Sequence, residues 1–163
     1  MPDYKIRTAL RSDLDAIYTI FSQADTLHRE AHPEIFRKVD DPAEIKDFLL
    51  TGIKSDDAVI FVADLSGDTR GDIIGAVIAW VRHTPDVPLL VPRVYLSVDN
   101  LIVDEKYQHQ GVGKALMERV HEWASARALK TIHLTVWDFN QGALTFYEKL
   151  GYKMLHHHMQ KEL

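Results

Sequence analysis

The stretch VDEKYQHQGVGKAL, residues 103–116, decides the fold, because an apolar strand ends in it and a helix begins a few residues later. Gly111 and Gly113 stand at the turn between the two elements. Glycine lets a ligand approach the backbone closely, and the first amides of the helix point outward and carry the positive end of its dipole. The stretch therefore predicts a tight turn, or a turn that also cradles an anionic group such as pyrophosphate.

Two common phosphate-binding motifs do not fit this stretch. A Walker P-loop needs a glycine where the chain has Gln108 and a serine or threonine where it has Ala115. The dinucleotide-binding fingerprint needs a third glycine where the chain has Leu116, and its glycines do not follow an antiparallel run of strands. The turn is therefore not a nucleotide-binding loop of either class.

The hydrophobic spacing on both sides of this stretch predicts an α/β domain with a mixed, mostly antiparallel central sheet flanked by helices. Before the stretch we expect a strand at residues 4–9, a helix starting near Ser12, a helix opened by Asp41 and Pro42, and strands at residues 58–65, 73–82 and 93–103. After it we expect a helix at residues 111–128, a strand at 131–136, a helix at 140–150 and a last strand at 152–160. No repeat or linker divides this order, so residues 1–163 are expected to form a single domain.

Composition excludes several classes of function. The formal net charge is -5 and the Lys and Arg residues are dispersed, so nucleic acid is not an expected partner. The absence of cysteine removes disulfides, thiolate metal ligands and a cysteine nucleophile, and it fits a cytoplasmic location. No stretch reaches the roughly 18 consecutive apolar residues of a spanning helix, and the N-terminus lacks the apolar segment of a signal peptide, so no membrane partner is expected.

A second motif, NQGALTFYEKLGY, occupies residues 140–152. Asn140 is suited to cap a helix and Gly151 to end it. This motif and the earlier Gln-x-x-Gly-x-Gly of Gln108, Gly111 and Gly113 together resemble the two motifs of the GNAT superfamily of N-acetyltransferases. The resemblance is close over residues 97–152 and loose over the rest. It implies a GNAT-like three-layer fold and transfer of an acetyl group from acetyl-CoA to an amine.

The resemblance also implies which residues bind acetyl-CoA. The pyrophosphate would lie on the glycine turn and the helix start, and the pantetheine arm would follow main-chain atoms of the preceding strand. The implied residues are Leu101, Ile102, Val103, Gln108, His109, Gln110, Gly111, Val112, Gly113, Lys114, Asn140 and Tyr147. A capping role alone for Asn140 stays an alternative, and a packing role for Leu101 and Val103 is compatible with cofactor binding.

Two residues are candidates for proton transfer. Amine attack on a thioester expels a thiolate whose conjugate acid has a pKa of ~8.5, and the Tyr147 phenol can donate a proton or a hydrogen bond to it. The amine must also lose a proton, and the resemblance implies a carboxylate or a backbone-held water on the strand before the glycine turn. Ser97 stands where the family carboxylate would align, so Asp99, predicted to share a face with Ser97 and Leu101, is the candidate base. A solvated carboxylate without catalytic function is an equal alternative for Asp99.

The resemblance places the acceptor site between the first two helices, in residues 27–36. His28, Glu30 and Phe36 are the candidate acceptor-binding residues there, since a carboxylate attracts and an aromatic ring flanks a cationic amine. His28 and His32 have the spacing of a helical metal pair, but Pro33 and the lack of a third ligand predict no metal site.

A direct attack within a ternary complex is the expected mechanism, because no cysteine is available to carry the acetyl group. A non-catalytic acyl-CoA-binding sensor domain is the alternative. The expected partners are acetyl-CoA and an amine acceptor. The free edge of the last strand also favours pairing with a second subunit, which makes a homodimer an expected assembly.

Overall fold

A computed structural model describes residues 3–65 and 72–163 of the chain. In chain order its helices and strands are β1 (Lys5–Thr8), α1 (Leu14–Ala31), α2 (Pro42–Lys54), β2 (Ala58–Asp64), β3 (Ile73–His83), β4 (Val94–Val103), α3 (Val112–Ala126), β5 (Ile132–Leu134) and α4 (Gln141–Lys149). Short 3-10 turns at Arg11–Asp13 and Glu105–Tyr107 precede α1 and α3. The turn predicted at residues 66–71 lies outside the described residues.

Within the described part of the chain, the sheet has five strands in the order β1-β2-β3-β4-β5. Neighbouring strands are antiparallel except β4 and β5, which are parallel. The predicted mixed, mostly antiparallel sheet is therefore confirmed. The α3 helix packs on one face of the sheet, and α1 and α2 pack on the other, so the domain has three layers.

The sequences of β2 and β3 are nearly continuous apolar runs because both strands are buried on both faces. Every residue of β2 is buried, and so are the first seven residues of β3, since helices cover both faces of the sheet there. On the α3 face the buried helix residues are Val112, Leu116, Met117, Val120 and Ala124. On the opposite face Ile17 and Ile20 of α1 and Leu49 of α2 complete the second half of the core.

A charged contact joins the start of the chain to the sheet. The Arg7 guanidinium lies 2.7 Å from a carboxylate oxygen of Asp13 and 2.7 Å from one of Asp64, and both carboxylates are almost fully buried. These two carboxylates raise the pKa of Arg7, with the hydrogen bond that Arg7 donates to Asp13 as the largest cause. Paired in this way, the buried charges hold β1, the start of α1 and β2 together.

The predicted last strand is wrong. Residues 152–163 have no regular secondary structure, and Met154, Leu155 and Met159 are exposed. Period-two alternation would put Met154 beside His156 on one face and Leu155 beside Lys153 on the other, so neither face is apolar enough to bury.

Two other elements differ in length from the prediction. The polar residues after Asp25, for which the sequence predicts a loop or a short helix, continue α1 to Ala31. Thr26 and Glu30 lie on the exposed side of this helix, where polarity does not oppose a helix. The strand predicted at residues 131–136 contains only Ile132–Leu134.

The β4 strand carries a bulge at Asp99. Its register with β3 pairs Asn100 with Ile78 but Val98 with Ala79, so Asp99 is the extra residue. A bulge shifts the alternation of side chains by one position, and the two halves of β4 therefore present different residues to each face.

This shift corrects the prediction that Ser97, Asp99 and Leu101 share one face. Val98 and Leu101 both pack in the core beneath α3, one on each side of the bulge. The Ser97 hydroxyl and the Asp99 carboxylate are hydrogen-bonded on the opposite face, where Ser97 pairs with Trp80 of β3. The expectation is therefore wrong for Leu101.

Candidate active site

The site begins where β4 and β5 separate. The two strands pair only from Leu96 with Ile132 to Val98 with Leu134, while β4 continues to Val103. Beyond Val98 the main chain of β4 therefore has an edge that β5 does not pair. An extended ligand can hydrogen-bond to such an edge as a further strand would. Of the predicted residues, Leu101, Ile102 and Val103 lie along it.

Side-chain amides fix the loop that follows β4. The Gln108 amide donates to the Val103 carbonyl at 3.1 Å, and the Gln110 amide donates to the Lys106 carbonyl at 2.8 Å. His109 and Gly111 both have left-handed backbone conformations, with φ of 59° and 86°. A left-handed conformation costs a non-glycine residue such as His109 about 1 kcal/mol. The hydrogen bonds of Gln108 and Gln110 help to offset this cost and stabilise the loop.

The start of α3 offers hydrogen-bond donors to open space. The first intrahelical bond runs from the Ala115 amide to the Gly111 carbonyl at 3.0 Å, so the amides of Val112, Gly113 and Lys114 have no acceptor within the helix. A Cβ atom built on Gly111 would meet no heavy atom within 4 Å. Free donors, a helix dipole and empty space together fit the pyrophosphate of acetyl-CoA.

Gly113 lies at the inner wall of the same turn. A Cβ atom there would be 3.5 Å from the Phe146 ring and 3.6 Å from a Val103 methyl group. Both are ordinary van der Waals distances, so the packing of α3 on β4 and α4 would accommodate a side-chain carbon at this position. Lys114, the next residue, directs its ammonium toward Glu118 at 3.6 Å.

The α4 helix positions Tyr147. Asn140 caps this helix, since its side-chain oxygen accepts from the Ala143 amide at 3.1 Å, and Gly151 follows it with φ of 89°. Aromatic rings hold Tyr147 edge-on, at 5.1 Å from Phe146 and 5.7 Å from Tyr152. Burial raises the pKa of Tyr147 to about 12. The phenol therefore keeps its proton at neutral pH and is available as a donor.

A histidine that the sequence did not single out supports this arrangement. The imidazole of His121 on α3 lies 2.9 Å from the Tyr152 hydroxyl. Burial lowers the pKa of His121, while burial and the neighbouring Tyr147 raise the pKa of Tyr152. The position of His121 beside the apolar stripe of α3 was the available signal that it is partly buried.

Asp99 lies next to the point where β4 and β5 separate. Its carboxylate accepts from the Ser97 hydroxyl at 2.8 Å and from the Arg82 guanidinium at 3.1 Å. The same guanidinium lies over the Trp80 ring at 5.5 Å. No local pattern in the sequence indicates Arg82, because its contact with Asp99 joins neighbouring strands across the bulge.

Five rings from distant parts of the chain form what we call the aromatic cluster. His28 contacts Phe36 at 5.1 Å and Phe139 at 5.4 Å, and Trp137 contacts Phe36 at 5.1 Å and His32 at 5.2 Å. The cluster joins the end of α1 to the loop between β5 and α4.

The aromatic cluster contains two of the three predicted acceptor-binding residues, His28 and Phe36. Glu30, the third, is exposed and lies outside it. Trp137 and Phe139 were missed, since nothing in their local sequence links them to α1.

His28 on α1 and His32 directly after it form contacts with the chain's own oxygen atoms. His28 hydrogen-bonds through Nδ1 to the Ala24 carbonyl at 3.0 Å, and His32 pairs through Nδ1 with Glu34 at 3.0 Å. Across residues 3–65 and 72–163, no group of three histidine or carboxylate side chains is arranged to hold a metal ion. Over the same residues, no helix combines the length and apolarity needed to cross a membrane.

Sequence comparison points to one family. The chain matches the acetyltransferase (GNAT) family over residues 15–152. It is 29% identical over 157 residues to an N-alpha-acetyltransferase from Sulfurisphaera tokodaii, covering 93% of this chain and 81% of that protein. It is also 40% identical over 53 residues to the ribosomal protein bS18-alanine N-acetyltransferase of Escherichia coli K12, covering 32% of this chain and 36% of that enzyme.

Solved structures share the fold. A tetramutant of the BH1408 protein from Bacillus halodurans superposes with a TM-score of 0.84 at 24% identity, covering 98% of this chain and 99% of that one. AAC(6')-Iy, solved with the bisubstrate analogue CoA-S-monomethyl-acetylneamine, superposes with a TM-score of 0.75 at 15% identity, covering 99% and 98%. The predicted GNAT-like fold is thereby confirmed. Because the family match also spans most of the sequence, the chain belongs to the GNAT acetyltransferase family and is an acyl-CoA-dependent acetyltransferase.

Proposed function

We propose that the chain transfers an acetyl group from acetyl-CoA to a primary amine of a small molecule or peptide by direct attack in a ternary complex. The observation that carries this proposal is the separation of β4 from β5 beside Asp99, with free amides of α3 at one end of the exposed strand edge. The relative named an N-alpha-acetyltransferase supports an amine as acceptor.

In this proposal the cofactor is bound mainly by backbone. The amides of Val112, Gly113 and Lys114 hold the pyrophosphate, together with the loop at residues 108–111. The exposed main chain of residues 101–103 holds the pantetheine arm, and Asn140 contributes its side chain beyond its capping bond.

The reaction forms one bond and breaks one. The amine nitrogen attacks the thioester carbonyl carbon, the C–N bond forms, and the C–S bond breaks. Asp99 accepts the proton lost by the amine, and Tyr147 donates a hydrogen bond or a proton to the leaving sulfur. The products are the acetylated amine and CoA.

The acceptor enters, in this proposal, on the side of the sheet that carries α1 and α2. His28 and Phe36 line the entrance through the aromatic cluster, and Glu30 contributes negative charge at its rim. Apolar rings exclude water from a reacting amine, which strengthens the interactions that stabilise the transition state.

Calorimetric titration with acetyl-CoA tests the cofactor site. A Gly111→Trp side chain would fill the open space before α3 and abolish binding. Gly151→Trp is the matched control, because Gly151 also has a positive φ and no atom within 4 Å of a built Cβ. Both variants carry the same type of backbone strain, but the control should bind like the wild type once melting curves show that both are folded.

The outcomes separate the competing functions. Binding that survives Gly111→Trp would contradict the assigned cradle. If acetyl-CoA binds but no added amine causes release of CoA from it, catalysis is contradicted and the acyl-CoA sensor is favoured.

We also propose a homodimer that uses β5, the last strand of the sheet in the described part of the chain, and the exposed apolar residues of the C-terminal segment, Met154, Leu155 and Met159. Light scattering should then give twice the chain mass of 18.7 kDa, and a monomer at micromolar concentration would contradict it.

The single-domain organisation, the cytoplasmic location and the lack of nucleic-acid and membrane partners stay predictions from the sequence.

A further inference from the structure

Six side chains form a patch on the α1 and α2 face of the sheet, which we call the β4 patch. The strand pairings put Trp80 beside Ser97, Arg82 beside Tyr95, and Ser97 beside His133. The rings of Tyr95 and His133 stack at 4.3 Å and 27°. Asp99 completes the patch at its end nearest the strand separation. The members are Trp80, Arg82, Tyr95, Ser97, Asp99 and His133.

The patch is accessible to a ligand. The Arg82 side chain is 48% exposed and that of Asp99 is 28% exposed, so their ion pair is open to solvent. An exposed pair of this kind contributes little to stability. A ligand can therefore displace Asp99 from Arg82 at little cost to the stability of the fold.

Charged side chains lie within and beside the patch. Arg82 has one positive charge within the patch. Arg93 lies close enough to His133 for its charge to affect the pKa of that histidine. Burial lowers the pKa of His133, and the charges of Arg93 and His156 lower it further. Within the patch the charge of Arg82 is matched by that of Asp99, and Arg93 adds a positive charge close to His133. An anionic group on the acceptor would therefore be favoured beside Arg82.

We propose that Arg82 binds a carboxylate of the acceptor, so that the enzyme acetylates amines that carry a nearby carboxylate, as free amino acids do. Arg82 Nη2 and Asp99 Oδ2 are 3.1 Å apart. A small molecule can contact both only if its amine and carboxylate are close together. This inference rests on the proposed acetyltransferase activity and on Asp99 as its base.

Acceptor binding then changes the partner of Arg82. The acceptor carboxylate replaces Asp99 on the guanidinium, and Asp99 keeps its bond from Ser97. The freed Asp99 oxygen accepts a proton from the acceptor ammonium, which leaves the neutral amine to attack the thioester. An amine without a carboxylate leaves Arg82 on Asp99 and gains neither its binding energy nor the free base.

Matched acceptors test the specificity. CoA release is measured with several α-amino acids, with their primary carboxamides, and with short peptides that have a free N-terminus. The carboxamide amines are less basic and are more often neutral at a given pH, so a preference for the acids cannot come from amine reactivity. We expect kcat/KM for the acids to exceed that for the amides by about 10- to 100-fold, as loss of a charge-assisted contact predicts.

Variants of Arg82 test the residue. Arg82→Gln should raise the KM for amino acids by about 10- to 100-fold and leave the KM for carboxamides nearly unchanged, while Arg82→Lys recovers part of the loss. Arg119→Gln is the control, since Arg119 on α3 forms an exposed ion pair with Glu122 at 3.2 Å, on the other face of the sheet. It should match the wild type with every acceptor.

Failure of the inference differs from failure of the activity. If carboxamides or peptides react as well as amino acids, the carboxylate site is wrong although the enzyme is active. The same holds if Arg82→Gln lowers kcat/KM by the same factor for all acceptors. If acetyl-CoA binds and no amine releases CoA, the proposed activity and the inference both fall. Should Arg82→Gln not fold, the acid-to-amide ratio of the wild type decides.

Discussion

Burial changes the chemistry of Tyr147. A phenol whose pKa is raised to about 12 is a much weaker acid than a thiol, whose pKa is ~8.5, so complete proton transfer to the leaving sulfur is unfavourable. A hydrogen bond that strengthens as charge develops on sulfur is the more effective contribution. Burial therefore keeps the Tyr147 phenol protonated, so that it acts as a hydrogen-bond donor.

Replacing Tyr147 by Phe removes that donor and keeps the ring packed against Phe146 and Tyr152. We expect kcat to fall by about 100-fold, in the range for loss of a positioned proton or hydrogen-bond donor, while the Kd for acetyl-CoA changes little because backbone groups supply most of the proposed cofactor contacts. Steady-state kinetics and calorimetry give the two numbers. Tyr18→Phe on α1, a half-buried tyrosine whose ring lies under the Lys46 ammonium at 5.7 Å, is the control. An unaltered kcat for Tyr147→Phe would exclude the role.

Asp99→Asn removes the proposed base without changing the size of the side chain. Without a base, the rate depends on the fraction of amine already neutral, so the loss in kcat/KM should be largest near neutral pH and shrink as pH approaches the amine pKa. A pH profile from 6 to 10 on Asp99→Asn, with exposed Asp56→Asn alongside, measures this. A loss that is the same at every pH would argue for a structural role.

Among the secondary-structure elements, a bulge in β4 and a helix cap on α4 position the proposed reacting groups. The bulge in β4 directs Asp99 to the face opposite Leu101, and the cap of α4 fixes the first turn of the helix that carries Tyr147. In each case one residue sets the direction of a longer element.

Asn140 allows capping and cofactor binding to be separated. Asn140→Ala should destabilise the protein by about 1 kcal/mol, whereas Asn140→Asp keeps an oxygen acceptor for the Ala143 amide and should be nearly as stable as the wild type. Chemical denaturation measures this difference. If Asn140 also donates to acetyl-CoA, Asn140→Asp will bind it more weakly despite normal stability; normal binding would leave Asn140 a cap alone.

For the whole molecule, the buried tyrosines predict instability at high pH. Burial raises the folded pKa of Tyr147 to about 12, above the unfolded value near 10, and Tyr152 shifts in the same direction. The folded state therefore binds protons that the unfolded state releases. Stability from these phenols is present below pH 10 and is lost as the pH rises from 10 toward 12.

Urea unfolding at pH 8, 10 and 11 should show this loss, and the Tyr147→Phe variant should lose less than the wild type. Tyr18→Phe, which changes a half-buried phenol on α1 far from Tyr147 in the sequence, should follow the wild type. A stability that is constant from pH 8 to 11 would contradict the burial of Tyr147.

The sequence by itself determined the elements whose signals are local. The glycine turn before α3, the Asn140 cap, the Asp41 and Pro42 start of α2 and the continuous apolar runs of β2 and β3 could be predicted, because each depends on neighbouring residues. They were enough to predict the layered fold and the order of the two motifs.

Only the tertiary structure decided the features that depend on distant partners. The face on which Asp99 lies follows from a bulge against β3, Arg82 reaches it from the next strand, and the aromatic cluster joins α1 to Trp137 and Phe139. The predicted last strand failed for the same reason. A strand needs a partner edge and an apolar face to bury, and neither is written in the local sequence of residues 152–163.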